Sequence, residues 1–161
     1  MKNKEIHIFT DGSSRGNPGP GGYGIVMEQK GSSYVKEYSE GFRKTTNNRM
    51  ELLAVIEALK KLKKDNLSVV VFTDSKYVVD SVEKKWIFTW EKNSFKKKKN
   101  IDLWIEFLKI FRKHTVRFKW IKGHNNHPQN ERCDHLALEA SKKETLLIDR
   151  TYENQDNQNL L

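Results

Sequence analysis

Val69-Val70-Val71-Phe72-Thr73-Asp74 is the stretch that decides the fold. Residues 68–73 form a continuous β-branched and aromatic run with no polar alternation, as in a central strand covered on both faces. Such a strand is reached by a helical crossover, and Asn47 to Lys64 supplies the helix. There Leu52, Val55, Ile56, Leu59 and Leu62 add to the helical spacing of Met50, Leu53, Ala54 and Ala58, giving a broad apolar surface. Upstream, residues 5–11, 23–29 and 34–41 read as three strands with short connections, an antiparallel meander, with a glycine-rich loop from Gly12 to Gly22 between the first two. Downstream, Lys76 to about Trp90 and Asp102 to His114 read as helices. Val116-Arg117-Phe118-Lys119-Trp120 alternates like a half-exposed edge strand, and Asn130 to Lys143 is a last helix with Asn130 as its cap. The order β-β-β-α-β-α-α-β-α predicts an α/β fold. It is a mixed five-stranded sheet, three antiparallel strands and then two parallel ones, with helices on both faces.

With 161 residues, the chain reads as one domain over residues 1–150 followed by a polar, disordered tail over 151–161. Its length supports a core without a disulfide or metal staple. Cys133 is the only cysteine, which excludes an intramolecular disulfide and a cysteine-based zinc site and fits a reducing, cytoplasmic setting. The N-terminus runs directly into the first strand, with no apolar signal segment and no membrane-spanning run. No unused apolar face stands out, so a monomer is expected. A formal net charge of +9 suits general solubility or a polyanionic partner, and charge alone does not choose between them.

The chemistry concentrates in Asp11, Glu51, Asp74 and Asp134. Asp11 and Asp74 each follow a threonine at the carboxyl end of a strand, where ligand crevices of open sheets lie. If the first and fourth strands are neighbours, these two acids meet, and Glu51 and Asp134 close the cluster from two helices. Clustered carboxylates repel one another unless a cation sits between them. Their hard oxygens suit Mg²⁺, and two such ions roughly 3.5–4 Å apart would form an in-line phosphoryl-transfer site. Each acid also has a local explanation. Asp11-Gly12 is a common turn pair, Asp74-Ser75 can cap a helix, and Glu51 and Asp134 read as first-turn acids favoured by a helix dipole.

With these residues in view, the chain closely resembles the type 1 ribonuclease H family, in particular the bacterial ribonuclease HI enzymes. The matching segments run in order from about Glu5 to Ser141. They are Phe9-Thr10-Asp11-Gly12-Ser13, Gly16-Asn17-Pro18-Gly19-Pro20-Gly21-Gly22-Tyr23-Gly24 and Thr45-Thr46-Asn47-Asn48-Arg49-Met50-Glu51-Leu52, then Thr73-Asp74-Ser75, Asn100-Ile101-Asp102-Leu103-Trp104, and Trp120-Ile121-Lys122-Gly123-His124 through Asn130-Glu131-Arg132-Cys133-Asp134. The resemblance implies a ribonuclease H-like sheet and hydrolysis of the RNA strand of an RNA–DNA hybrid, leaving 5′-phosphate and 3′-hydroxyl ends. It implies two Mg²⁺ ions with substrate bound, Mn²⁺ as a substitute, Asp11, Glu51, Asp74 and Asp134 as their ligands, and His124 assisting proton transfer or product departure.

For the substrate, the resemblance implies that Asn17, Asn47 and Asn48 contact the minor groove, where 2′-hydroxyls distinguish RNA from DNA. The backbone at Gly12 and Ser13 would approach the RNA, and Thr46 a phosphate of the DNA strand. Helix capping is the competing explanation for Asn47-Asn48. Lys96, Lys97, Lys98 and Lys99, interleaved upstream with Trp86, Trp90 and Phe95, fall at the family's basic protrusion, which grips DNA through salt-sensitive phosphate contacts. Of the tryptophans, Trp86 is expected in the core and Trp90 against deoxyribose. Three departures stand out: the protrusion is short, Phe95 replaces a frequent tryptophan, and Lys76 stands where glutamine is usual, exchanging an acceptor for a phosphate-binding cation. A non-catalytic hybrid-binding module and a nuclease or transposase-like enzyme of the same fold are the competing readings. A complete acid set opposes the first, and the Thr46-Asn47-Asn48 segment opposes the second.

Overall fold

The computed structural model describes residues 5–123 and 127–158. Its sheet has strands β1 (Ile6–Ser14), β2 (Gly19–Gln29), β3 (Val35–Thr45), β4 (Ser68–Thr73) and β5 (Thr115–Trp120), in the spatial order β3-β2-β1-β4-β5. Strands β1, β2 and β3 pair antiparallel, while β4 runs parallel to both β1 and β5. The predicted sheet is therefore observed. The glycine-rich segment, predicted as loop, mostly extends β1 and β2, with Gly12 opposite Tyr23 and Ser14 opposite Gly21.

The helices are α1 (Asn47–Lys60), α2 (Lys76–Glu83), α3 (Trp86–Lys92), α4 (Ile101–Phe111), α5 (Pro128–Ser141) and α6 (Arg150–Gln158). Side chains alternate across a strand, and the core divides accordingly. Ile8, Ile25, Val69 and Val71 join the cluster formed with α1 and α4, whereas Phe9 and Val26 pack with Cys133 of α5. The sheet meets α5 at very short range. A Cβ on Gly24 would lie 2.2 Å from the Cys133 carbonyl oxygen, and one on Gly41 2.0 Å from that of Ala140. Only bare backbone allows this helix to settle on β2 and β3.

Several local expectations change. The predicted helix from Lys76 to Trp90 breaks into α2 and α3 at Lys85, whose φ of 63° is left-handed. Helix α5 begins two residues before the predicted cap. His127 is the N-cap, accepting from the Asn130 amide at 3.3 Å, while the Asn130 side chain is buried. The tail expected to be disordered from residue 151 is helical through Gln158. Glu153 anchors it, taking a two-pronged ion pair from Arg43 at 2.9 Å to each carboxylate oxygen, and the Glu153 amide closes the first turn on the Asp149 carbonyl at 2.9 Å.

The chain reaches α6 along the edge of β3, where the Arg43 amide donates to the Leu147 carbonyl and the Leu147 amide to the Gly41 carbonyl, and there it delivers Asp149 to Arg49. Arg49 is 2% exposed on α1 and binds two carboxylates at once, Asp149 through Nε at 2.7 Å and Asp102 through Nη2 at 2.7 Å. Thr45 donates a further bond to Asp149 at 2.8 Å. Burial opposes the guanidinium charge, but the bonds and charges of Asp102 and Asp149 outweigh it and hold Arg49 firmly protonated. Removing one partner of such a buried network strands the others. Arg49→Ala should therefore lower unfolding free energy by about 3–5 kcal/mol. Urea denaturation measures it, and a loss below about 1 kcal/mol, the scale of an exposed pair, would contradict this role.

Candidate active site

Asp11 lies near the end of β1 and Asp74 immediately after β4. The parallel register pairs Phe9 with Phe72, and carried two residues further it sets Asp11 beside Asp74. Gly12 then brings in the third acid. A Cβ there would lie 2.4 Å from the backbone of both Met50 and Glu51, so only glycine lets the start of α1 rest on β1. In that position Glu51 accepts from the Gly12 amide, and Asp11 accepts from the same N–H at 2.9 Å.

One carboxylate oxygen from each of Asp11, Glu51 and Asp74 lies within 4.8 Å of the others. Asp134, half-buried on α5, lines the same open cleft of about 360 Å³. The local explanations weaken here. Glu51 is the fifth residue of α1 and Asp134 the seventh of α5, both beyond the first turn where the dipole rewards an acid. Ser75, not Asp74, caps α2, accepting from the Val78 amide at 3.2 Å.

Burial is the main force raising the Asp11 carboxyl from 3.8 to about 7, with the charges of Asp74 and Asp134 adding to it. Glu51 is raised well above its ordinary value, first by burial and then by Asp11 and Asp74. A divalent cation reverses this balance by making the charged forms the favoured ones. An all-oxygen cluster held this closely fits Mg²⁺ or a similar hard ion. Gly123 closes one side, since a Cβ on it would lie 2.8 Å from an Asp74 carboxylate oxygen. His124, the next residue, lies outside the described residues.

The substrate candidates border this cleft. Ser13, Asn47, Asn48 and Lys76 line it together with the acids. Thr46, not Asn47, caps α1, accepting from the Arg49 amide at 3.2 Å. Asn47 ties α1 to the β1–β2 turn by accepting from the Ser14 amide at 2.6 Å, and Asn17 accepts from the Asn47 amide at 3.1 Å. Lys96, Lys97, Lys98 and Lys99 are all exposed on a tight turn pinned by buried Phe95, whose amide donates to the Trp90 carbonyl at 2.7 Å. The tryptophan expectation is reversed. Trp86 is 44% exposed, with Lys84 over its ring, because the break at Lys85 turns it outward. Trp90 is half-buried, edge-on to Trp104, with Lys98 over its ring at 4.8 Å.

Two further residues escaped the sequence reading. Trp120 donates from its indole N–H to the Asp74 carbonyl at 3.0 Å, and Lys76 sits 4.4 Å above its ring. Arg49 anchors α1 two residues before Glu51. A charged residue one position before Met50, on a broadly apolar helix, was the only available signal for it.

The arrangement of acids at the ends of two neighbouring parallel strands can now be compared with known proteins. The RNase H family profile matches residues 3–142. The chain belongs to the RNase H family. Ribonuclease H of Desulforamulus reducens is 52% identical over 151 residues, spanning 91% of this chain and 93% of that protein. Ribonuclease H of Idiomarina loihiensis is 47% identical over 154 residues, spanning 92% and 96%. Among solved structures, LC9-RNase H1, a type 1 RNase H with the type 2 active-site motif, superposes with a TM-score of 0.79 at 33% identity, covering 96% of this chain and 82% of that one. LC11-RNase H1, solved in complex with an RNA/DNA hybrid, superposes with a TM-score of 0.66 at 28% identity, covering 91% and 99%. The family is enzymatic and metal-dependent, in keeping with the acid cluster.

The raised Asp11 carboxyl has a measurable consequence. Its folded value lies above 3.8, so its contribution to stability is complete below that pH and is lost as pH rises through about 7. In chelator, Asp11→Asn should be more stable than the parent at pH 7.5, and the difference should shrink towards pH 4. Mg²⁺ should raise the parent's thermal midpoint more at pH 7.5 than at pH 5.5, and raise the variant's less. Equal pH profiles for parent and variant in chelator would refute the buried, repelled state of Asp11.

Proposed function

We propose that this chain is an endoribonuclease that hydrolyses the RNA strand of RNA–DNA hybrids, with Asp11, Glu51, Asp74 and Asp134 holding two Mg²⁺ ions. The convergence of three carboxylates within 4.8 Å at the ends of β1 and β4 carries the reading. The bound ions supply charge neutralisation and alignment for in-line attack of water on the phosphodiester, for which Mn²⁺ is a chemically reasonable substitute. The protein's own groups do the rest. Asp11 and Glu51, held by the Gly12 amide, keep their oxygens turned into the cleft. Asn47 uses its oxygen to hold Ser14, which leaves its NH₂ half for a 2′-hydroxyl or base edge of the minor groove. Asn17 and Asn48 flank it, and the Gly12–Ser13 backbone lies against the RNA. Lys76, on the cleft wall, meets a phosphate. His124, next to Gly123, accepts or returns a proton as the 5′-phosphate and 3′-hydroxyl ends separate.

The other strand meets Thr46 and the lysines of the 96–99 turn, with Trp86 exposed beside it and Trp90 supporting the turn from below. The hybrid in the related LC11-RNase H1 structure supports this choice of substrate. We further propose a monomer acting in a reducing cytoplasm, a setting that the single, unpaired cysteine, Cys133, suits. Among the described residues, no helix is long and apolar enough to cross a membrane.

The test is cleavage of an end-labelled hybrid beside duplex DNA and duplex RNA of the same sequence. The parent should cut only the RNA of the hybrid, and only with a divalent ion. Asp11→Asn should lose more than about 10²-fold in rate, the scale lost with a single electrostatic stabiliser. Undiminished cleavage by that variant, or preference for duplex DNA, would overturn the assignment.

A further inference from the structure

A second groove, of about 680 Å³, opens beside the acid cleft and is lined by Thr46, Asn48, Lys98, Lys99, Tyr152 and Gln155 among others. Asn48 lines both, so the two are neighbours. A duplex presents two sugar–phosphate backbones on either side of its minor groove. If the acid cleft takes the RNA backbone and Asn48 the minor groove, the second groove faces the DNA backbone. Two of its wall residues come from α6, the segment that its composition predicts to be disordered.

We propose that α6 is a substrate-binding element, in which Tyr152 and Gln155 form the outer wall of the DNA-strand groove and contact that strand's sugar–phosphate backbone. The inference rests on the hybrid reading above. Its basis is the way α6 is held. Two long-range contacts fix the helix. Arg43 grips Glu153, and the Arg49 guanidinium lies 5.9 Å from the Tyr152 ring centre, while the Asp149 carbonyl closes the first turn by accepting from the Glu153 amide. Arg49 is itself immobilised by Asp102 and Asp149, so the Tyr152 ring inherits a fixed position from the buried ion network. The chemistry of the wall fits its place. Tyr152 offers a flat ring that suits a deoxyribose without a 2′-hydroxyl, and a phenol that can donate to phosphate. The exposed Gln155 offers an amide NH₂, and neither brings a negative charge among Lys98 and Lys99. Neutral donors on one wall and lysines on the other would hold a phosphate chain without the salt sensitivity of an all-lysine grip.

The experiment uses the full chain with Tyr152→Ala and Gln155→Glu. Hybrid affinity is measured by fluorescence anisotropy in chelator, and KM and kcat are measured in Mg²⁺. Both variants should weaken binding and raise KM by about fivefold or more, on the order of one lost or repelled backbone contact, with kcat within about twofold. The effect of Gln155→Glu should shrink when the DNA strand carries uncharged methylphosphonates in place of the phosphates across from the cut, which a merely structural role would not produce. Tyr152→Ala could loosen α6, and a lowered thermal midpoint would show it; Gln155 is exposed, so its variant tests the wall without that complication. Parental affinity and KM in the Gln155→Glu protein, or losses that are the same on methylphosphonate DNA, would overturn the role of α6. A parent that neither binds nor cleaves the hybrid would instead overturn the substrate assignment itself.

Discussion

The site depends on a single close approach, between Gly12 on β1 and the start of α1. No side chain fits there, since even a Cβ would overlap the backbone of Met50 and Glu51. The contact draws Glu51 onto the amide that Asp11 also uses, so two carboxylates share one donor in a buried position. Burial first, and then repulsion between like charges in low dielectric, displaces both acids upward. Such a cluster is unfavourable by itself at neutral pH. It becomes favourable only with positive charge between the oxygens, so the packing that builds the fold also creates the demand for a cation.

The same helix carries the opposite arrangement two residues earlier. Arg49 is as buried as Glu51 but is surrounded by carboxylates, Asp102 from α4 and Asp149 from the strand-like segment before α6. Burial alone would push the Asp102 carboxyl up, yet the bonds and charge of Arg49 bring it below its ordinary value. One end of α1 therefore holds a charge-balanced ionic network and, two residues on, a cluster of like charges. The balanced network fixes the helix rotation, and the helix rotation fixes Glu51. Glu51 and Asp11 are both tied to the Gly12 amide, so protonation or a bound cation relieves the repulsion where the two acids stand.

These features were unequally legible in the sequence. Strand β4 and helix α1 were plain, because burial on both faces writes a continuous apolar run and a broad helical stripe into local sequence. The four acids were legible as a set, since Asp11 and Asp74 end strands and the family segments occur in order. Their local positions were not: Glu51 and Asp134 lie a turn deeper in their helices than the sequence suggested, and the caps fall to Thr46, Ser75 and His127. The break at Lys85 depends on one left-handed residue, and it exchanges the exposure expected for Trp86 and Trp90. Helix α6 was hidden for a different reason. Its composition predicts disorder, and what orders it is a set of contacts with Arg43 and Arg49, more than a hundred residues away along the chain. Pair contacts of that kind leave no periodic trace.

The remaining question is how a chain of net charge +9 keeps its densest negative cluster where a polyanion must approach. The two signs act over different ranges. On the proposed reading, the exposed lysines at residues 96–99 attract a nucleic acid within a Debye length and hold its outer strand. The acids act only at contact, and without cations they repel the very phosphate that has to reach them. On the proposed reading, affinity at the lysine end therefore requires no divalent ion and falls with salt, while the position of the scissile phosphate depends on the divalent ions. On that reading binding and cleavage are divided between two neighbouring cavities, with Asn48 lining both. A duplex lacking 2′-hydroxyls can still occupy the basic end, but it loses the amide contacts that would seat its other strand over the acids. Selectivity for RNA then arises in the positioning of the phosphate rather than in the strength of binding.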